Sequence, residues 1–156
     1  LLGRCHRGKG IWILIFCNFP VKCRDIFLQA AQETLQGFMD LMHRNEMLFL
    51  SILTPDGGFV GGVEVHGIRE EYPELGIWIK KGEQQKGYAW EALAGVLKFV
   101  DGSYRKEWYV FEADIRNAGS MKLAEKFDYR KEGLDEFETE TGKLLRLQRF
   151  LIRSRR

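Results

Sequence analysis

Cysteine is scarce in this chain. Its three cysteines, Cys5, Cys17 and Cys23, all fall within the first 23 positions. An odd number so confined makes a poor disulfide framework, and free thiols in a reducing cytoplasm are the simpler reading. With His6 they match no common zinc spacing, so no metal site is expected. Long hydrophobic runs are also lacking. The longest, residues 11–17, is far short of the ~20 residues a membrane helix needs. Basic Arg4, Arg7 and Lys9 before it imitate a signal peptide, yet no small-residue cleavage site follows. Nor is there an excess of one charge: 24 basic against 22 acidic side chains leave +2. That balance speaks against a general nucleic-acid or membrane-surface binder. No internal repeat, low-complexity tract or Pro/Gly/Ser linker divides the chain.

What is present is an ordinary core. Apolar residues make up 45% and charged residues 29% of 156 positions, which excludes disorder and fits one domain over residues 1–156. Residues 11–16 read as a buried strand. Phe27, Ala31, Leu35, Phe38 and Met42 then step along one helical face, with Asn45 as a stop. Strands are predicted over 48–53, 59–68 and 75–80, with Pro55-Asp56-Gly57-Gly58 as the first turn and Gly61-Gly62 marking a bulge or a close backbone approach. A helix over 88–100, closed by Gly102, follows a polar loop at 82–87. A strand over 108–115, a helix over 118–127 capped by Asn117, and strands over 129–134 and 144–152 complete the order. The mixture of hairpins and βαβ crossovers predicts an α/β (α+β) fold, a mixed sheet with helices on its faces.

Two segments carry chemistry. In the first, a strand runs into Gln84-Gln85-Lys86-Gly87-Tyr88-Ala89, so that a glycine immediately precedes a helix. The first N–H groups of a helix lack internal partners and carry partial positive charge, a natural phosphate cradle. Lys80, Lys81 and Lys86 add positive potential. The same residues also suit an ordinary helix start behind a solvated basic loop. No G-x-x-x-x-G-K-[ST] and no strand-bound G-x-G-x-x-G occurs, which disfavours nucleotide hydrolysis and dinucleotide binding. In the second segment, Asn117 and Ser120 stand in the first turn of a short helix after a strand, suited to helix capping or to a cleft between strands.

Gln84-x-x-Gly87-x-Ala89 resembles the [QR]-x-x-G-x-[GA] pyrophosphate loop of GNAT-superfamily N-acetyltransferases, and Gly87-Tyr88-Ala89-Trp90-Glu91-Ala92-Leu93 its usual continuation. Asn117-x-x-Ser120 followed by Lys126-Phe127-Asp128-Tyr129 is similar to the branch that acetylates ribosomal-protein N-termini. The resemblance spans residues 48–152. Asp128 departs from it by replacing a glycine, and residues 1–23 lack the branch's first strand, as a divergent or truncated segment would.

The resemblance implies a mostly antiparallel sheet whose strands splay at an acetyl-CoA cleft. Gln84, Gln85, Lys86, Gly87, Tyr88 and Ala89 would hold the pyrophosphate, with Lys126 nearby. Ile77, Trp78 and Ile79 would pair with the pantetheine arm and supply an oxyanion donor. Asn117 would hydrogen-bond the arm, and Ser120 would donate a proton or hydrogen bond to the departing sulfur. The acceptor would be a protein N-terminal α-amine or a small cationic amine. The family also leaves room for a homodimer. Glu138, before the last hairpin turn, is the first candidate for general base, with Glu64 and Glu74 as alternatives and a solvated carboxylate as the plain reading of each. Glu132, Asp135, Glu136, Glu138 and Glu140 form an acidic run with no basic residue among them, and Glu70, Glu71 and Glu74 a second. Both would draw a cationic amine. A non-catalytic acyl-CoA-binding module is the alternative function.

Overall fold

A computed structural model describes residues 4–7, 12–15, 26–139 and 142–154. The chain begins with strands β1 (Arg4–Arg7) and β2 (Trp12–Ile15) and helix α1 (Ile26–His43). Strands β3 (Met47–Leu53), β4 (Phe59–His66) and β5 (Glu74–Ile79) follow, then α2 (Tyr88–Tyr104), β6 (Trp108–Asp114), α3 (Ala118–Ala124), β7 (Tyr129–Glu138) and β8 (Leu144–Arg153). Helix α1 stops where Asn45 takes a positive φ of 55°, a conformation asparagine tolerates well. The turn at Pro55-Asp56 is closed by Gly57 N–H donating to the Thr54 carbonyl at 2.9 Å.

Three boundaries differ from the sequence reading by three residues or more, and β1 was not foreseen. Helix α2 passes through Gly102 and ends where Arg105 takes a φ of 53°. A helical glycine costs about 1 kcal/mol, less than the burial of Leu93, Val96, Leu97 and Val100 on the same helix returns. Helix α3 ends at Ala124, and two tight turns then carry Phe127 into the core. Strand β7 extends to Glu138 because it pairs along β8 as far as Leu144. Of the predicted first strand, residues 12–15 form β2, while 11 and 16 lie outside the described residues. So do Cys17, Cys23 and Glu140.

The sheet runs β1-β2-β3-β4-β5-β6-β8-β7. Every junction is antiparallel except β5–β6, which is parallel and registers at a single pair, Glu74 with Val110. Beyond that pair the two strands diverge. Alternation along the strands divides the side chains between two faces. Val63, Val65, Leu75, Phe111 and Ala113 join residues of α2 and α3 in the main core. On the other face Phe38 of α1 packs on Phe49, ring centroids 5.4 Å apart, and edge-on to His66 at 6.4 Å. No described helix is long and apolar enough to cross a membrane.

Candidate active site

The divergence of β5 from β6 creates the site. Backbone direction alternates along a strand, and here it can be followed residue by residue. Lys80 N–H donates to the Val60 carbonyl on β4, so Trp78 and Gly76 also face β4. Ile77 and Ile79 therefore turn their N–H and C=O toward β6. Val110 N–H donates to the Pro73 carbonyl at 2.9 Å, so Glu112 turns its backbone toward β5. The open edges of Ile77, Ile79 and Glu112 thus face each other across the splay. One of these groups is taken: the Ile79 carbonyl accepts from Gln84 Nε2 at 3.0 Å.

A cleft of about 630 Å³ fills this space. Its β5 wall includes Ile77, Trp78 and Ile79, its floor Gln84, Gln85, Gly87, Tyr88 and Ala89, and its far wall Asn117, Ser120 and Lys126. These are most of the residues the sequence singled out, drawn from two segments about thirty positions apart.

The two helix starts at the cleft differ. Gly87 precedes α2 with φ of +89°, no side chain caps the helix, and a Cβ placed on Gly87 would meet nothing within 4 Å. Gln85 is also left-handed at φ 63°. The first N–H groups of α2 therefore stay available to an anion. At α3 the Asn117 side chain accepts from Ser120 N–H at 3.1 Å. Its oxygen is committed to capping, which leaves the amide NH2 as its donor toward the cleft.

Lys86 and Glu138 stand apart from the cleft lining. The Lys86 ammonium pairs with Glu83 at 3.0 Å, and this hydrogen bond holds it above the usual lysine range. Glu138 lies at the tip of the exposed β7–β8 hairpin, at the mouth end of the sheet but two strands from β5–β6 opening. The acidic run is less bare than its sequence: Glu136 meets Arg146 at 3.4 Å and Glu132 meets Arg149 at 4.0 Å, both from the neighbouring strand. Asp128 replaces glycine without backbone strain, since its φ is not positive, and its carbonyl accepts from Arg153 N–H.

Sequence reading missed Gly119, Lys122 and Leu123 in the far wall. Lys122 and Leu123 stand three and four residues after Gly119 on α3, so a helical stripe taken from Gly119 finds them. Lys122 and Lys126, rather than Lys86, carry positive charge on the cleft wall.

On the α1 face of the sheet lie Glu64, His66, Glu74, Glu112 and Arg149. Glu64 meets His66 at 3.4 Å, and Glu112 meets Arg149 at 3.2 Å. Burial first, and then the charge of Glu112, raise the Glu74 carboxyl above the usual carboxylate range.

The cleft's residues fit an acyl-coenzyme A. An uncapped helix start behind a positive-φ glycine suits a pyrophosphate, and unpaired strand edges suit the amides of the pantetheine arm. A family model described as an acetyltransferase (GNAT) domain matches residues 22–130. Among solved structures, the chain is similar to spermidine N-acetyltransferase from Vibrio cholerae in complex with CoA and spermine, at 17% identity and a TM-score of 0.69, over 90% of this chain and 80% of that one. A chimera of that enzyme with hSSAT aligns with a TM-score of 0.75 at 16% identity, over 92% and 95% of the two chains. A Vibrio cholerae protein assigned as a ribosomal-protein-serine acetyltransferase aligns at 0.68 and 21%, over 80% and 74%. Identities this low carry the fold alone. No curated protein matches the chain closely enough to count as a relative.

Proposed function

The chain belongs to the GNAT acetyltransferases, and from that premise we propose that it acetylates the primary amine of a small cationic acceptor by direct attack. The observation that carries this reading is the β5–β6 splay, with backbone edges open on both sides and Ser120 on the far wall. Bound there, acetyl-CoA supplies an acetyl group activated as a thioester. The α2 N-terminus holds its phosphates. The Ile77 or Ile79 N–H donates to the carbonyl oxygen as charge develops on it, and preaimed donors of this kind are often the largest catalytic contribution. Asn117 donates from its amide to the pantetheine arm. Ser120 donates to the departing sulfur, and a thiol pKa of about 8.5 makes a hydroxyl donor sufficient help.

A small cationic acceptor is supported by the carboxylate of Glu64, which lies on the α1 face over Gly76 next to the splay, and by the spermine in the complex of the similar Vibrio cholerae enzyme. Its amine, with a pKa near 10.4, enters protonated and needs a base. A protein α-amine is the second reading. It is supported by the Asn117-x-x-Ser120 segment and by the similar ribosomal-protein-serine acetyltransferase. Thiol release from acetyl-CoA, measured with diamines, polyamines and N-terminal peptides, separates the two. Diamine turnover well above peptide turnover is expected, and the reverse ranking would transfer the assignment to the second reading. Release with none of these amines would reject transfer to them altogether.

A further inference from the structure

On the α1 face, β4 and β5 exchange large and small residues across the strand. Trp78 stands opposite Gly62, and Glu64 opposite Gly76. A Cβ on Gly62 would lie 2.8 Å from the Trp78 indole nitrogen, and a Cβ on Gly76 would collide with the Glu64 carboxylate. Each large side chain therefore lies across its neighbour's backbone, in space that only glycine leaves open. The Glu64 carboxylate is carried over β5 at Gly76, one residue before Ile77, where the open strand edge begins. Trp78, half exposed, lies beside it and also lines the cleft.

The other carboxylates on this face are differently placed. Glu112 is engaged by Arg149 at 3.2 Å. Glu74 stands opposite Val110, at the closed end where β5 and β6 still pair. Glu64 has His66 beside it at 3.4 Å on its own strand, with Phe49 of β3 paired across from it.

Resting on the transfer reading above, we propose that Glu64 and Trp78 form the seat of the acceptor ammonium, and that Glu64 is the base. The ammonium gives one proton to the Glu64 carboxylate, which passes it to water. The freed nitrogen lone pair forms the C–N bond as the C–S bond breaks, and the second proton lost by nitrogen ends on sulfur. Trp78 walls the seat with an aromatic surface that favours a cation. Gly76 is then a specificity element, because a side chain there would displace the base.

The test uses 1,4-diaminobutane as the probe. It is titrated calorimetrically into the CoA-loaded protein, and turnover is measured separately with acetyl-CoA. Glu64→Gln is expected to weaken diamine binding about tenfold or more and to lower kcat/KM about 100-fold, with CoA affinity unchanged. Glu64→Asp should recover part of the turnover. Diamine binding and turnover within about threefold of wild type would overturn the proposal. So would a fall in CoA affinity as large as that in diamine affinity, or a wild-type protein that binds no diamine. If wild type binds the diamine but acetylates no amine, the transfer reading and the base role fall together, and the binding arm still decides the seat.

Discussion

The β5–α2 and β6–α3 units share one plan, a parallel strand leading through a loop into a helix, yet they treat the helix start in opposite ways. The first leaves it open, behind Gly87 with φ +89° and no side-chain cap. The second closes it with Asn117 and cinches the loop through Asp114, whose carboxylate accepts from Arg116 Nε at 2.9 Å and from its backbone N–H at 2.8 Å. An open start leaves N–H groups that suit an anion, whereas a closed start fixes side chains in place. On the function proposed above, one wall of the cleft binds the phosphates and the other positions the chemistry.

Ser120→Ala gives the largest expected effect. Turnover should fall about 100-fold, the scale of a lost proton donor, while CoA affinity is kept. A matched loss of CoA affinity, read by calorimetry, would erase the division between the walls. Gly87→Val should do the converse. A β-branched residue resists positive φ, and its side chain enters the cradle, so CoA binding should weaken by about tenfold or more. Unaltered CoA binding by that variant would mean that the α2 start is not the phosphate site.

Asn117→Ala should act first on stability. Losing the cap costs about 1 kcal/mol, a fall of roughly 2–4 °C in Tm. The smallest effect belongs to Asp114→Asn. Arg116 holds the Asp114 carboxyl well below the usual carboxylate range. A carboxyl lowered by folding adds stability that is present above about pH 3.9 and is lost as pH falls through its folded value. The variant should therefore melt slightly below wild type at pH 7, and the gap should close in acid. A gap independent of pH would assign the loop's rigidity to something other than this ion pair.

The elements from β2 onward and both helix starts were legible in the sequence because each rests on local chemistry. A helical stripe, a Pro-Asp-Gly turn, a glycine before a helix and an asparagine at a cap all act within a few residues. The end of α2 was not legible, because burial of Val100 and its neighbours outweighs the local signal of Gly102. Nor was the partnering of the acidic hairpin, since Arg146 and Arg149 reach Glu136 and Glu132 only through strand register. The same holds for Glu64. Its place over Gly76 follows from pairing two strands at a given register, which no short motif records.

One pair of residues, Glu74 and Val110, makes the only register between β5 and β6. Mechanically, the sheet is two plates, β1–β5 and β6–β8, joined at a single rivet. A molecule lying along the splay bridges the plates as a staple would, supplying from outside the hydrogen bonds that the missing part of the ladder lacks. Occupancy should therefore be felt as stiffness, with slowed hydrogen exchange at the Ile77 and Glu112 amides as its local signature.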